Sequence, residues 1–531
     1  MVHQEPQASW GDVLLLRPGL VAIADWRAEQ VVLFAAQASG WSPVERLEAP
    51  GQAHSLSWHH GSQTLYASGR WSQQLYRWQL AAGDAGQTER WRELPRIDLR
   101  MCGGEMLLLP QRGLLLVADA FGRNYRLLRL ETGEVLKSDK VYGHNISSLA
   151  TDKDEELVLF PHQLLNEHAH SERNDITWGG LLSNNLRWLK IDRLLQQSGQ
   201  EIFKQGRFYP LGQTGNGSGD PTCLQVSSQG LMAITLGGTN RVAVGSEDDY
   251  YFRQIEVGYH PVACRFSPDE RQLLVVNQFS DSLSIIDLSD DSVQHLPLGA
   301  LREPTQVERG EQAFFDARLA HDGWMSCHSC HPQGHTNGQL NDNMTDGSFG
   351  TPKRVLSLLG LSETRPYSWR GSMANLEQQV THSIASTMAS DHPVSSQTVE
   401  DLVAFLRQLE PPPSLLAARL PRAQRRQGRQ GASTAAFAAG EQLFEELSCS
   451  DCHAGAWRTH SETFDVGLRD ERQTGLFNPP SLIGVSQRQD ALFHDGRASS
   501  LRSVLETYHH QLPRELGEQE LSQLVAYLEG L

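Results

Sequence analysis

No stretch of the 531-residue chain approaches the ~18 consecutive apolar residues that a membrane-crossing helix requires. With a mean hydropathy of -0.42, this excludes an integral membrane protein. An excess of basic charge is also missing: 46 Lys and Arg stand against 63 Asp and Glu, a net charge of -17 with a pI near 5.6. Nucleic acid and anionic lipid would be repelled at long range, so neither is expected as a partner and neutral or basic partners fit better. The opening MVHQEPQASW has neither the charged n-region nor the apolar h-region of a secretory leader. Methionine is scarce, and none occurs between His453 and Leu531.

Cysteine is also sparse, but four of the seven are placed with purpose. Cys327 and Cys330 are followed by His331, and Cys449 and Cys452 by His453. Cys-x-x-Cys-His is the attachment signature of c-type haem. Two thiols form thioethers to the porphyrin vinyls, and the adjacent histidine ligates the iron from the proximal side. A zinc site would want four ligands from paired knuckles, and a thioredoxin-like pair has no use for the histidine. Two covalently bound haem c groups are therefore expected, with Cys327, Cys330, His331, Cys449, Cys452 and His453 as their attachment and proximal residues. Such attachment takes place outside the bacterial cytoplasm, so a periplasmic address is expected, reached through a leader since removed. Cys102, Cys223 and Cys264 remain, in strand-like sequence, and read as buried structural residues.

The two motifs sit in a duplication. Arg309–Phe315 (RGEQAFF) precedes the first and Ala439–Leu447 (AGEQLFEEL) the second. SLLGL at 357–361 matches SLIGV at 481–485, and LVAFL at 402–406 matches LVAYL at 524–528. From the cysteine motifs to the closing helices, equivalent positions are offset by 122 to 125 residues, so two homologous helix, motif, loop, helix units follow one another, the order of a cytochrome c fold. Residues 306–410 and 436–531 are the expected haem domains. The Pro-, Arg-, Gln- and Gly-rich stretch 411–435 reads as a solvated linker.

Residues 1–305 are patterned as short apolar strands separated by polar or glycine turns, as in LYASG then LYRW at 65–78. Turns at Asp25, Gly69, Asp119, Gly237 and Asn277 recur at 40 to 50 residues except for one interval of 118, which has room for two units and an insertion. That period predicts an all-β propeller of about seven blades ahead of two mainly α haem domains. Pro161–Gly180 reads as an inserted polar loop carrying His162, His168, His170 and Trp178, whose histidines either are solvated, the commoner case, or bind a metal or line a substrate route.

The haem region resembles the di-haem cytochrome c peroxidase and MauG superfamily, and the strand region resembles YVTN-type propellers. The resemblance implies a tryptophan between the haems and, ten positions later, a glutamine in the peroxide pocket of the first haem. Trp369 and Gln379 have that spacing. The position that holds Met in the peroxidases and Tyr in MauG falls on Tyr508, and the missing methionine independently removes the usual sixth ligand of the second haem. His494, His460, His509 and His510 are the other residues available. The family's pocket carboxylate has no counterpart in Thr381–Ser390, which leaves His382 as a pocket base, or His382 or Met388 as a ligand to the first iron. A calcium ion between the haem domains would use oxygens near Asn341, although Gln489 and Ala491 stand where Thr and Pro are expected.

The implied activity is that of a MauG-like oxidoreductase. Hydrogen peroxide, or oxygen plus electrons, would oxidise a protein or peptide partner by long-range electron transfer through a high-valent di-haem state, with the partner docked on the propeller. Two rivals remain. One is a peroxidase reducing hydrogen peroxide to water, fed by a small cytochrome or cupredoxin; the other is a non-enzymatic electron carrier or redox sensor.

Overall fold

A computed structural model describes residues 9–81, 90–250, 252–300, 302–344, 347–426, 435–488 and 490–531. Its N-terminal part is six antiparallel sheets, each with four strands in simple up-and-down order, spanning Trp10–Glu48, Ala53–Glu93, Gly103–Lys140, Ala150–Pro210, Pro221–Glu256 and Pro261–Pro297; the second carries a fifth, short strand, Ile97–Asp98, on Gln74–Ala81. Within a blade the second strand is often buried on both faces, as in Leu114–Asp119 and Thr64–Gly69, which explains their continuous apolar runs. Five apolar cores lie between successive blades: Leu33, Leu56 and Trp78 join the first to the second, and Ile234, Leu186 and Trp188 join the fourth to the fifth. Asp119 shows how a blade turns, its Oδ1 accepting from the backbone N–H of Phe121 and Gly122 at 3.0 Å each.

Six blades replace the expected seven because the 118-residue interval holds one blade with long connections. Strands Leu157–Leu165 and Leu182–Lys190 are nine residues each and are joined through a segment that contains helix Arg173–Thr177. Helix Ile191–Gln196 and a 3-10 turn follow before the last strand. The insertion is also not a free loop. Ile176 and Leu181 are fully buried in the core of the first haem domain, with Phe314 and Trp324. His162 belongs to a strand and is completely buried, whereas His168 is exposed.

In the C-terminal part, helix Gln306–Phe314 crosses helix Ser396–Leu406, and helix Ala435–Glu446 crosses Glu518–Gly530. Both crossings are made at a glycine from the duplicated GEQ sequence. A Cβ on Gly310 would lie 1.9 Å from the Asp401 carbonyl oxygen, and one on Gly440 2.1 Å from that of Gln523. The first crossing is also tied by Arg309, whose Nε and Nη2 donate to the two oxygens of Asp401 at 2.9 and 3.1 Å.

The described part of the segment read as a solvated linker is helical, at Leu415–Arg419 and Arg422–Arg426, and docks on the propeller. Arg419 donates to the Ser72 carbonyl at 3.0 Å and to Asp98 at 2.7 Å, Arg422 donates to the Arg27 carbonyl, and Arg425 pairs with Glu29. Residues 427–434 of that stretch lie outside the described residues. Among the described residues, no helix is long and apolar enough to cross a membrane.

Candidate haem sites

Cys327–Cys330 forms one helical turn, which fixes the two sulfurs on one side of it. Ser326 caps the turn by accepting from the His328 N–H at 3.1 Å, while Ser329 accepts from the Ser326 N–H at 3.0 Å. Both cysteines and His331 open onto a cavity of about 280 Å³. Phe314, Leu358, Leu361, Leu376, Val380, Ile384, Met388, Leu402 and Leu406 make its apolar wall. Burial pushes the His331 pKa down to about 4, so the imidazole is neutral and its lone pair is available to a metal. Burial, with the Asp220 charge second, pushes the Cys327 and Cys330 thiols up to about 12.

Two cations line the cavity without an acid to neutralise them. Arg354 is 4 % exposed, its Nε has no hydrogen-bond partner, and burial pushes its pKa down to about 9. Arg488 has an unpartnered Nε too, and burial brings its pKa to about 10. Among the described residues neither forms an ion pair, although a buried, unpaired charge is costly. An apolar cavity with two thiols, a neutral imidazole and two guanidiniums lacking an ion-pair partner fits a haem c: the thiols would hold the vinyls, the imidazole the iron, and Arg354 and Arg488 would offset the propionate charge.

Trp369 is buried between this cavity and the second haem domain. Its Nε1–H donates to the Arg354 carbonyl at 2.7 Å, and its own carbonyl accepts from the Asn478 N–H at 2.7 Å. Its ring stands edge-on to His494, with centroids 6.4 Å apart. The Arg354 N–H donates to the His494 carbonyl at 2.6 Å, so one strand end and one indole connect the two halves.

Gln379, on helix Leu376–His382, lines the cavity; its Nε2 donates to Ser383 Oγ at 3.0 Å while its Oε1 is buried without a donor. His382 on the same helix is half-buried, has an unpartnered Nε2 and lies outside the cavity lining; burial lowers its pKa. Met388 does line the cavity and is buried. Among the described residues no Asp or Glu lines it.

In the second motif Cys449–Asp451 is a 3-10 turn, followed by Cys452 and His453. His453 Nδ1–H donates to the Arg458 carbonyl at 3.2 Å, which fixes the tautomer and leaves Nε2 for a metal. Burial, and then the neighbouring His510, bring its pKa to about 4. Tyr508 is 37 % exposed and its hydroxyl donates to the Arg497 carbonyl at 2.8 Å. His510 is half-buried against Phe493, centroids 5.2 Å apart, and burial lowers its pKa. His494 is buried with both ring nitrogens free of hydrogen bonds, its ring stacked on Phe477 at 4.4 Å. His460 packs edge-on against Phe464, and His509 is exposed.

Near the expected calcium position, Asn341 Oδ1 and Asp342 Oδ1 are buried without hydrogen-bond partners. Thr345, Asp346 and Gln489 lie outside the described residues, and Ala491 lines a second, polar cavity of about 90 Å³. Nothing in the sequence marks Arg354, Arg488 or Asp220, because a buried charge is visible only once the chain is folded around it.

Residues 304–439 match the family model described as di-haem cytochrome c peroxidase. The chain is 25% identical over 295 residues to the methylamine utilization protein MauG of Methylorubrum extorquens, covering 45% of this chain and 82% of that protein. It is 23% identical over 289 residues to the cytochrome c551 peroxidase of Nitrosomonas europaea, covering 46% of this chain and 84% of that one. Among solved structures, hydrazine synthase of Kuenenia stuttgartiensis aligns with a TM-score of 0.41 and 14% identity, over 51% of this chain and 81% of that one.

Proposed function

We propose, from the premise that the C-terminal region carries a domain of the di-haem cytochrome c peroxidase family and that the chain is a peroxidase-type oxidoreductase with haem c cofactors, that it works in the MauG manner: it uses hydrogen peroxide, or oxygen plus electrons, to oxidise a protein or peptide partner at a distance. The haems supply the redox chemistry; the chain binds, orients and insulates. Cys327, Cys330 and His331 hold the first haem, and the apolar wall keeps bulk water from it. Gln379 Oε1, a buried acceptor in want of a donor, orients the incoming peroxide through its hydrogen. His382, on the same helix but outside the cavity lining, has an unpartnered Nε2 and a pKa lowered by burial, and takes up the proton that peroxide gives up by relay rather than by contact.

Trp369 carries the reading: its indole donates to the Arg354 carbonyl and stands edge-on to His494, while its backbone carbonyl accepts from Asn478 of the second haem domain, which supports a role in passing oxidising equivalents between the two halves. Cys449, Cys452 and His453 hold the second haem, and the turn Tyr508–His510 supplies its remaining ligand. Tyr508→Phe and His510→Ala, compared by electronic spectra, identify which residue does so. A calcium ion at Asn341 and Asp342, a periplasmic location and a partner docked on the propeller complete the proposal. A small cytochrome or cupredoxin serves as electron donor when oxygen replaces peroxide.

The test is one equivalent of peroxide added to the oxidised protein, with and without a reduced small cytochrome c. The proposal expects an oxidised product that persists without the donor and turns over slowly with it. Rapid steady turnover with the reduced cytochrome would contradict it and identify peroxide removal as the activity.

A further inference from the structure

The turn that carries the first pair of haem cysteines is held by the propeller as much as by its own domain. Asp220, just ahead of strand Pro221–Val226 of the fifth blade, is 2 % exposed. Its carboxylate accepts from the hydroxyls of Ser326, at 2.5 Å, and Ser329, at 2.7 Å. The Ser329 carbonyl in turn accepts from His144 Nε2–H at 2.9 Å and from Asn145 Nδ2 at 3.3 Å, both from the region between the third and fourth blades. Just upstream, Trp324 fills a slot floored by Gly179, Gly212 and Gly217, where any Cβ would overlap it.

We infer that Asp220 is a positioning residue for the first haem, a propeller carboxylate that clamps the Cys327–Cys330 turn and, by its fixed negative charge beside it, holds that haem's reduction potential low. The inference rests on the reading of Cys327, Cys330 and His331 as a haem site. Oxidised iron carries one more positive charge than reduced iron, so a buried anion close by favours the oxidised state. Burial alone would raise the Asp220 pKa, but the His328 imidazole and the two serine hydroxyls outweigh it, and the carboxyl stays below its usual range. Of the imidazoles around it, His144 and His260 are kept neutral by burial, with pKa values of about 4. His328 Nδ1 faces the carboxylate at 3.7 Å, within ion-pair reach.

The experiment is a spectroelectrochemical titration of the full-length holoprotein as wild type, Asp220→Asn, Ser329→Ala and Asp220→Glu. Haem content is measured first by pyridine haemochrome, and the first haem's wave is the one lost in Cys327→Ala/Cys330→Ala. Asp220→Asn is expected to shift the first haem's midpoint upward and leave the second unchanged. Ser329→Ala, which loosens the clamp but keeps the charge, is expected to shift it far less. An unshifted midpoint in Asp220→Asn, or an equal shift in Ser329→Ala, overturns the inference. Should Asp220→Asn lack the first haem, Asp220→Glu decides: a midpoint near wild type supports the charge, and a raised one overturns it. Fewer than two haems in the wild type would instead sink the underlying haem reading.

Discussion

Replacing Gly310 or Gly440 by alanine puts a methyl carbon 1.9 Å from the Asp401 carbonyl oxygen or 2.1 Å from that of Gln523. A carbon and a carbonyl oxygen normally approach no closer than about 3.3 Å, so each helix pair must separate by roughly 1.2 to 1.4 Å. The obstacle is the backbone of a packed helix, which cannot rotate away as a side chain would. Overpacking of this kind costs about 3 kcal/mol at the upper end of its usual range. Alanine's better helix propensity returns about 1 kcal/mol. The net loss is about 2 kcal/mol, or roughly 4 to 8 °C in Tm for a cooperative unit the size of the two haem domains. Scanning calorimetry or far-UV circular dichroism reads the shift. Gly299→Ala is the control, because nothing lies within 4 Å of the Cβ it would add. Gly310→Ala and Gly440→Ala proteins that melt at or above the wild-type temperature would refute the idea that these glycines set the helix crossings.

Trp369→Phe keeps a ring but leaves the buried Arg354 carbonyl without its donor, a loss of about 1 to 3 kcal/mol. It should also slow electron exchange between the haems; stopped-flow reduction showing an unchanged rate would contradict the relay role. Burial brings the pKa of His162 and His335 down to about 3 and that of His144 and His260 to about 4. The unfolded values lie near 6.5, so this stability is fully present above about pH 6.5 and is lost as pH falls toward 3, by up to about 1.4 kcal/mol per pH unit for each histidine. Urea midpoints should fall between pH 7 and pH 5, and less steeply in His162→Gln; a flat profile would be evidence against it.

What the sequence made legible was chemistry carried by neighbours. Cys-x-x-Cys-His is complete within five residues, and the duplication repeats it, SLLGL or SLIGV, and the closing helix at a steady offset. Blade strands announced themselves through apolar runs, but their number depended on what filled the 118-residue interval, and long connections with two buried helical turns are not distinguishable there from another blade. His162 looked like part of a polar insertion because the strand Leu157–Leu165 runs through it, and a buried histidine among strand residues has no periodic signature. Arg488 and Asp220 act on groups more than a hundred residues away, and Arg354, though in the first haem's own domain, is marked only by its burial, so no local pattern marks them. The arginines of the segment before 427 read as solvated because the acids and carbonyls they meet, at Glu29, Asp98 and Ser72, belong to the first two blades.

The central claim is that one haem site is open to an oxidant while the other is closed and linked to it through Trp369. The most direct measurement is the EPR spectrum of the fully oxidised protein before and after one equivalent of hydrogen peroxide. The account predicts one high-spin and one low-spin ferric signal, with peroxide consuming both in wild type but only the high-spin one promptly in Trp369→Phe. Two low-spin signals indifferent to peroxide would contradict it and leave an electron carrier or redox sensor.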